Sequence, residues 1–549
     1  MAKRRKTRRT RRRDPRGDRQ RSPVSLVDRL LHLQSPDERP WKFLLPVLVL
    51  AFAVRAAIAL CGDFVLHPDE VMQYLEPAHR LVFGSGVTYW EFFYGARAWL
   101  VPGMVAGVLK GFDLVGLGEP FWYVGGVKLM FCAVSLLIPV GMYFFARRHF
   151  GESSARVALL AGAFWYELAG FAHKPMTEFV AAALLMVLLV LCVRSSVHRV
   201  GTVWLVALIA VLAAAVRLQY APIALLLLGV FFLRTEKKVY LAIAAGVFLL
   251  AVGAFDAMTW DGGLFHSYIT NIRFNLMVDQ GRAGESSGYQ FLWWLLLASV
   301  GLGALCVVVA LRDLRRYGFL LAMVALVVLV HSVQAHKEYR FVFAVVPLWL
   351  LIGADVVVRF AVRGDARVWG VVGVLFAAVS IGGVLNALPS QDQVYRAYSK
   401  ETGKVGFVRG QDPIFAAFRY LARAPGVLGV WQVDRPYYSL PGYYYLHREI
   451  PFYDVFSGRI INKDMETVRA SVSHIVSDNA DLAIPGYAVE KQFGTVQIWC
   501  RDENDAPVRQ WAGYNPIVVG GLDQIMARIN PHAPEPPDNS GIRFVNESR

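Results

Sequence analysis

The chain has 549 residues, of which 56% are hydrophobic and 18% charged, and its formal net charge at pH 7 is +15. Most of it therefore cannot be a soluble globule, and the composition favours a protein that crosses a membrane several times and carries soluble appendages. The five cysteines indicate no disulfide framework, because four lie in or beside apolar runs and Cys500 is isolated in the C-terminal part.

Basic residues dominate the beginning of the chain. Residues 3–21 contain twelve Lys or Arg residues and two Asp residues. A segment with this charge density is not expected to fold, so residues 1–40 are predicted to form a disordered basic tail. Nucleic-acid binding is one interpretation. Next to a membrane span, however, we expect the tail to lie in the cytoplasm and contact anionic membrane lipids, with no nucleic acid as partner.

Apolar runs about long enough to cross a bilayer recur through residues 41–388, which we predict to be a transmembrane domain. They indicate about eleven transmembrane helices, and two of the runs are short enough to leave their limits open. The runs are residues 41–61, 122–146, 155–172, 179–193, 203–216, 221–233, 239–255, 291–311, 319–333, 341–358 and 368–388.

Residues 98–117 are also apolar, but glycines interrupt them and they include Lys110, so we predict a juxtamembrane helix rather than a span. With this assignment the basic clusters of alternate loops all fall on the side of the basic tail, as the positive-inside rule requires. The first loop, residues 63–121, then lies on the extracytoplasmic face. Within the spans, Arg55, Lys128 and Asp355 require a partner or a nearby interface, and the two basic residues could simply snorkel.

The first loop contains the tetrapeptide H-P-D-E, from His67 to Glu70. Pro68 suits the first position of a helix, so Asp69 and Glu70 should lie in the first turn, where free N–H groups and the helix dipole stabilise negative charge. Asp69 would then be ionised at neutral pH and able to accept a proton. The alternative is that both acids only cap a short loop helix.

A second polar cluster, H-K-E-Y-R at residues 336–340, lies at the outer end of a predicted span. His336, Lys337 and Arg340 could neutralise a leaving phosphate, with Glu338 orienting one of them. The cluster could also be an ordinary solvated loop.

Arg217 lies between two short apolar runs and is a second candidate for contact with a lipid phosphate, although it could equally be a snorkelling arginine. The polar and aromatic outer loop 256–289 suits sugar contact or a lid, or is polar only for solubility. Further candidates for the same cavity lie at another outer turn: His173, Lys174, Thr177 and Glu178.

Two long motifs in this order resemble one enzyme family. The first is H-P-D-E-V-M-Q-Y-L-E-P-A-H followed by T-Y-W-E-F-F-Y-G-A-R-A-W-L-V-P, and the second is H-K-E-Y-R-F-V-F-A-V-V-P-L. They resemble the Alg9/PIG-B-like mannosyltransferases of glycosyltransferase family 22. The resemblance implies a polytopic α-helical membrane protein with a GT-C-like fold and a polyprenyl-phosphate mannose donor. It also implies an acidic catalytic residue in the first loop, which points to Asp69 with Glu70 as second candidate.

The predicted topology agrees with a lipid-linked donor, because nucleotide sugars are cytoplasmic and no strand is followed by a Gly-rich phosphate loop. An acceptor hydroxyl attacks the anomeric carbon while a phosphate leaves, so a single carboxylate base suffices. We expect a glycan or glycolipid acceptor. The predicted substrate-binding residues are His67, Glu91, Arg97, Arg217, His336, Lys337, Glu338 and Arg340.

Residues 389–530 are predicted to form a soluble extracytoplasmic α/β domain. V-L-G-V-W-Q-V, S-H-I-V-S and G-T-V-Q-I-W-C have the pattern of strands, and residues 413–423 that of a helix. The Tyr-rich residues 436–448 are interpreted as strand residues, with stacking on acceptor sugars as the alternative. Residues 531–549, rich in Pro, Asp and Asn, are predicted to be a disordered tail.

Two other functions remain open. A GT-C enzyme of the same architecture could move another lipid-linked sugar, such as arabinose, glucose or aminoarabinose. A lipid or sugar transporter or flippase would instead require inverted repeats and midplane charges, which the sequence does not clearly show. We predict no metal site, since no closed ligand set is visible. Glu70, or His67 together with Asp69, could nevertheless bind a divalent cation. We expect a bacterial cytoplasmic membrane with the site facing outward, or the endoplasmic reticulum membrane in a eukaryote.

Overall fold

The computed structural model describes residues 40–193, 197–260, 262–278, 287–334, 336–361, 366–385, 387–388, 394, 412–455, 472–479, 484–501, 514–518, 526 and 542–546. The predicted basic tail lies outside these residues apart from Pro40. So does the predicted C-terminal tail, apart from residues 542–546.

Helices form most of the described chain, because a backbone segment surrounded by lipid must satisfy its hydrogen bonds internally. The helices up to residue 278 are α1 Trp41–Cys61, α2 Glu76–Phe83, α3 Trp90–Phe93, α4 Leu100–Leu114, α5 Pro120–Ser135, α6 Leu137–His149, α7 Glu152–Phe164, α8 Tyr166–Gly170, α9 Thr177–Val193, α10 Val200–Val216, α11 Ala221–Arg234, α12 Lys238–Thr259 and α13 His266–Val278. They are followed by α14 Gln290–Ala298, α15 Leu302–Leu311, α16 Leu314–Ser332, α17 Val345–Ala361, α18 Ala366–Val384, α19 Pro413–Leu421 and α20 Tyr443–Leu446.

Within the described residues, four helical segments are long and apolar enough to cross a membrane: α1, α5 together with α6, α12 and α16. The pair α14 and α15 would be a fifth if it is one span, and its axes are bent by 111°. Val300 and Gly301 form this bend with positive φ angles. Shorter apolar helices of 10–17 residues include α9 and α10. The chain is therefore a multi-pass membrane protein, and the number of about eleven spans stays a prediction.

The predicted span 155–172 is not a single helix. Trp165 separates α7 from α8 with an extended ψ of 129°. Its indole Nε1 donates to Glu167 Oε2 at 2.8 Å, and Tyr339 donates to the same carboxylate at 2.6 Å. A buried acid with two donors thus stabilises a helix break that the apolar pattern does not reveal.

The charged residues predicted to lie within spans have partners. Arg55 is fully buried and donates to the carbonyls of Gly162 and Ala163 at 3.0 and 2.6 Å, so snorkelling is the wrong interpretation for this side chain. Lys128 contacts Asp63 at 2.5 Å. Asp355 accepts hydrogen bonds from three side chains, those of Ser154, Arg316 and Tyr317.

The C-terminal part combines helix α19 with a five-stranded sheet, which fits the predicted α/β composition. Its strands are β2 Val430–Gln432, β3 Phe452–Tyr453, β4 His474–Ser477, β5 Tyr487–Phe493 and β6 Val496–Arg501, in the order β3-β2-β4-β6-β5. Strand β2 runs parallel to β3 and β4, and the other neighbours are antiparallel.

A second sheet joins the first loop to the C-terminus. Strand β1, Thr88–Tyr89, pairs in parallel with β7, Tyr514–Val518, which pairs antiparallel with β8, Ile542–Asn546. The predicted disordered tail is wrong at residues 542–546, which form strand β8. The sequence I-R-F-V-N supplies β-branched and aromatic residues, which suit a β-sheet.

The Tyr-rich segment also differs from its predicted strand. Tyr443, Tyr444 and Tyr445 form the short helix α20 and are buried. They belong to the same hydrophobic cluster as the membrane helices, which also contains Tyr123 and Phe418. Burial of their rings packs the C-terminal part onto the first loop.

Candidate active site

The first loop becomes helical at Pro68 and passes through a π-helical turn, Glu70–Leu75, before α2 begins at Glu76. Such wide turns are rare and often occur at functional sites. Here Asp69 and Glu70, although adjacent, have different partners. The carboxylate of Asp69 contacts Arg340, whereas that of Glu70 contacts Lys174.

The two predicted motifs meet at Asp69. Arg340 donates through Nη2 to Asp69 Oδ2 at 2.6 Å and through Nε to Glu338 Oε2 at 2.5 Å. His67 lies between the two acids, with Nδ1 3.4 Å from Asp69 Oδ1 and Nε2 3.1 Å from Glu338 Oε2. His336 contacts the other oxygen of Glu338 at 2.7 Å. The structure therefore brings these five side chains into one ionic cluster.

Glu178 extends the cluster to a second arginine. It is fully buried, and its Oε1 lies 3.1 Å from both Arg340 Nη1 and Arg217 Nη1. Both guanidinium groups also lie over the ring of Phe341, at 5.3 and 4.8 Å from its centroid. Glu178 therefore holds the two arginines side by side. Because Arg217 pairs with this buried acid, snorkelling is the wrong interpretation for it.

The charges of this cluster stabilise one another. Burial favours the neutral form of Asp69, but the guanidinium of Arg340 and the His67 ring outweigh it and hold the pKa of Asp69 well below its usual range. Burial and Arg340 favour a neutral His67 ring, yet Asp69 and Glu338 raise its pKa to about 8. At neutral pH the cluster thus contains ionised acids beside a protonated histidine.

A polar cavity of about 370 Å³ adjoins the cluster, a size within the usual range for small-molecule sites. Trp90 and Phe274 form an aromatic part of its wall, with ring centroids 4.2 Å apart. The polar wall residues are Asp69, Tyr74, Glu91, Arg97, Thr177, Arg217, Gln219, Ser267, Tyr268, Asn271, Asn275, Gln334, His336, Glu338 and Arg340.

Glu91 and Arg97 form a second charged pair on this wall. Arg97 Nη2 lies 3.7 Å from Glu91 Oε1, which also accepts a hydrogen bond from Gln73 Nε2 at 2.9 Å. Burial raises the pKa of Glu91 despite the nearby Arg97. Glu91 Oε2, Gln73 Oε1 and Arg97 Nε are buried without a hydrogen-bond partner in the described structure. These groups could bind the hydroxyl groups of a polar ligand.

Three of the predicted catalytic and substrate-binding residues do not line the cavity, and neither do the further candidates His173, Lys174 and Glu178. Glu70 accepts from Lys174 Nζ at 2.9 Å and from the Leu66 amide at 3.1 Å, and it borders a separate small cavity with His173. Lys337 donates to the carbonyl of Gln334 at 2.8 Å. His67 lies behind Asp69 rather than on the wall.

The position of Glu70 argues against a direct role in proton transfer from the cavity. Its carboxylate is used to anchor the buried Lys174, whose ammonium also donates to the carbonyl of Phe64 at 2.7 Å. Several wall residues, including Tyr74, Trp90 and Gln219, are not among the predicted site residues. Tyr74 and Trp90 lie inside the first motif, whose aromatic residues could have indicated them.

Around Asp69 no three metal-ligand side chains of the described part converge on one point. Within the described residues, the side chains of His474, Glu490 and Cys500 in the C-terminal sheet lie close enough together to hold a metal ion. Neither Glu70 nor the pair His67 and Asp69 therefore forms a closed cation site with a third described residue.

The fold is similar to that of ArnT from Cupriavidus metallidurans. The crystal structure bound to undecaprenyl phosphate matches with a TM-score of 0.56 and 14% identity, covering 85% of this chain and 99% of that one. The apo structure matches with a TM-score of 0.54, covering 83% and 97%. The chain therefore shares this fold, and its apolar helices and polar cavity define a multi-pass membrane protein with an internal polar site.

A sequence profile of the Alg9-like mannosyltransferase family matches residues 46–447, and the chain belongs to this family. It is 25% identical over 413 residues to GPI mannosyltransferase 3 of Yarrowia lipolytica, covering 74% of this chain and 76% of that protein. It is 23% identical to GPI mannosyltransferase 3 of Drosophila melanogaster and to alpha-1,2-mannosyltransferase alg9 of Schizosaccharomyces pombe, covering 58% and 62% of those proteins. The predicted family is confirmed, and the chain is a glycosyltransferase.

Proposed function

We propose that the protein transfers a mannosyl residue from polyprenyl-phosphate mannose to a glycan or lipid-linked acceptor on the extracytoplasmic face of the membrane. The observation that carries this proposal is the placement of Asp69 on the wall of one cavity together with three arginines, Arg97, Arg217 and Arg340. A carboxylate can accept a proton there while the arginines bind a phosphate.

Arg217 and Arg340 are proposed to bind the donor phosphate. Their guanidinium groups converge on one buried acid, Glu178, so they are held close together before substrate arrives. Planar guanidinium groups bind phosphate oxygens with two parallel hydrogen bonds, and a phosphate leaving as a stabilised anion needs no strong general acid. Glu178 and Glu338 would act as positioning residues for this pair.

Asp69 is proposed to be the general base. The acceptor oxygen attacks the anomeric carbon, the bond from that carbon to the phosphate oxygen breaks, and the phosphate leaves with the electron pair. Asp69 takes the proton of the attacking hydroxyl. Arg340 now holds the pKa of Asp69 low, but an incoming phosphate would compete for the same guanidinium and make Asp69 a stronger base.

The Glu91 and Arg97 pair is proposed to bind hydroxyl groups of the transferred sugar or of the acceptor. Its buried oxygen and nitrogen atoms without partners require hydrogen bonds that a polar ligand would supply. Asn271 and Asn275 also line the cavity and add further donors and acceptors. Of the predicted substrate-binding residues, His67 and Lys337 would act indirectly, because neither lies on the wall.

The test is transfer of labelled mannose from synthetic polyprenyl-phosphate mannose to endogenous acceptors in membranes that contain the wild type or Asp69→Asn. We expect the variant to lose at least about 100-fold in rate, as for loss of a general base. Asp113→Asn is the matched control, because Asp113 is exposed and pairs only with Lys110 in the described contacts.

An unchanged rate in Asp69→Asn would exclude this residue as the base. Wild-type membranes that transfer another polyprenyl-linked sugar but not mannose would favour the other GT-C activity. Transport of the labelled lipid without transfer would favour the flippase alternative.

A further inference from the structure

A cluster of three side chains with metal-ligand chemistry lies in the five-stranded sheet and does not line the cavity. His474, Glu490 and Cys500 come from β4, β5 and β6, and one ligand atom of each lies within 4.8 Å of the other two. The proposed transfer reaction uses none of them.

The pairing of the strands explains how these residues meet. His474 is directly opposite Cys500 in the antiparallel pair of β4 and β6, and residues in such pairs project from the same face of a sheet. The ladder between β5 and β6 is shifted between Val489 and Lys491, which leaves Glu490 as an extra residue. A bulge re-aims side chains, so three adjacent strands contribute one ligand each.

The hydrogen bonds of Ser473 hold the ring of His474 in place. Ser473 Oγ donates to the carbonyl of Gly429 at 3.1 Å and accepts from the amide of Leu428 at 2.8 Å. Ser473 Oγ also lies 2.9 Å from His474 Nδ1, so this ring nitrogen has a hydrogen-bond partner. The ring is thus held with Nε2 near Glu490 and Cys500. A second partner on the other ring nitrogen is typical of metal-binding histidines.

His474 Nε2 lies 3.1 Å from Glu490 Oε2, without the alignment of a hydrogen bond. The His474 ring is almost fully buried. A buried ring nitrogen without a hydrogen bond requires another partner, and a cation beside the carboxylate would be one. A cation shared with the nearby thiol satisfies all three groups.

Glu490 is held in place from its other side. Tyr420 donates its hydroxyl proton to Glu490 Oε1 at 2.7 Å, which leaves Oε2 directed towards His474. Glu490 is exposed and Cys500 is partly exposed, so an ion has access from solvent. The three groups thus have both the fixed orientation and the accessibility that a metal site requires.

We propose that His474 Nε2, Glu490 Oε2 and Cys500 Sγ bind a zinc ion, with water at the fourth position. Imidazole, thiolate and carboxylate together suit the borderline-soft Zn²⁺, whereas Ca²⁺ and Mg²⁺ prefer oxygen ligands alone. The ion would connect β4, β5 and β6, and through Tyr420 it would also stabilise helix α19.

The experiment uses the full-length protein in detergent, stripped with a chelator and dialysed against Zn²⁺ or Co²⁺. We expect one bound zinc ion per chain, a rise in Tm on zinc addition and a sulfur-to-cobalt charge-transfer band with Co²⁺. Cys500→Ser and Glu490→Gln should each weaken zinc binding at least about tenfold, and Cys500→Ser should abolish the charge-transfer band. Cys61→Ser is the matched cysteine control and should keep both.

Wild-type protein that binds no stoichiometric zinc would overturn the proposal and leave His474 and Glu490 as a simple ion pair. Zinc binding of unchanged affinity in Cys500→Ser or in Glu490→Gln would overturn it as well. Because both residues are at least partly exposed, their variants should fold, and a retained Tm in the metal-free state verifies this.

Discussion

Arg340 contacts three acids, Asp69, Glu178 and Glu338, through its three guanidinium nitrogens. Lysine keeps the charge but cannot reproduce this planar fork. We predict that Arg340→Lys lowers kcat/KM by about 10² to 10³, comparable to removal of one preorganised charged donor. The measurement is steady-state transfer with polyprenyl-phosphate mannose as the varied substrate.

Arg359→Lys provides the control for that substitution. Arg359 is half-exposed and pairs with the exposed Asp313 at 2.9 Å, and such surface pairs contribute little. Its variant should keep the wild-type kcat/KM. Equal losses in both variants would mean that Arg340 has only a structural role.

His67 makes stability depend on pH. Its pKa in the folded protein is about 8, above the ordinary value of 6.5, so protonated His67 stabilises the fold. This contribution, about 2 kcal/mol by proton linkage, is fully present below pH 6.5 and is lost as the pH rises through about 8.

We predict that the Tm difference between wild type and His67→Gln is largest near pH 6 and shrinks by pH 9. Thermal unfolding in detergent at a series of pH values measures it, and subtraction of the variant removes the contributions of other titrating groups. A difference that does not change with pH would contradict the assignment of the positive charge to His67.

Single residues differ in how far the sequence could identify them. Asp69 and the segment around Arg340 stand out because two dense polar motifs interrupt apolar runs. Glu178 was only one of four further candidates at its turn, since an acid at the beginning of α9 is ordinary until α10 and the Arg340 segment pack beside it. Its role depends on tertiary contacts, which local sequence patterns do not reveal.

At the level of elements, α20 attaches the C-terminal part to the first loop. Glu76 is fully buried and accepts from the amides of Val87 and Tyr444 at 2.7 and 2.8 Å. Burial raises the pKa of Glu76 to about 7, although these two hydrogen bonds oppose the change. Gly442, which precedes α20, has a φ of +65°, and an added Cβ would lie 2.3 Å from Glu76 Oε1.

We therefore predict that Gly442→Ala destabilises the protein by about 1–3 kcal/mol more than Gly426→Ala does. Gly426 is the matched control, because its φ is +73° and nothing lies within 4 Å of its Cβ position. Both glycines have a positive φ, but only at Gly442 does the added Cβ crowd Glu76. Equal decreases in Tm would show that α20 can shift without cost to Glu76.

Among the elements, the helices were the easiest to predict because apolar runs imply them directly. Their interruptions were not predictable in the same way. The break at Trp165 depends on Glu167 and Tyr339, and the bend at Val300 and Gly301 lies inside an unbroken apolar run. The two-residue strand β1 has no sequence signal of its own, since its partner is far away in the chain.

At the level of the whole molecule, Asp63 connects the membrane helices to the C-terminal part. Its carboxylate accepts from Lys128, Arg419 and the Tyr445 hydroxyl, and its carbonyl accepts from the amide of Asp412 at 2.9 Å. Burial favours a neutral Asp63, but Lys128 and Arg419 outweigh it and lower its pKa.

We predict that Asp63→Asn destabilises the protein by about 3 kcal/mol, because it leaves Lys128, which is only 13% exposed, without its counter-ion. Glu119→Gln is the control, since Glu119 also pairs with a residue that follows α19, Arg423, but both side chains are exposed. Its loss should be below about 1 kcal/mol. Thermal unfolding together with limited proteolysis of the C-terminal part measures the effect, and similar results for the two variants would exclude Asp63 as the connection.

The parallel pairing of β1 with β7 also governs the order of events during synthesis. Thr88 is paired with Ile517, more than 400 residues later in the chain. At typical elongation rates of about 5–20 residues per second, the ribosome needs about 20–90 s to make the missing strand. Throughout that interval β1 lacks its partner strand, so the first loop completes its strand pairing only near the end of synthesis.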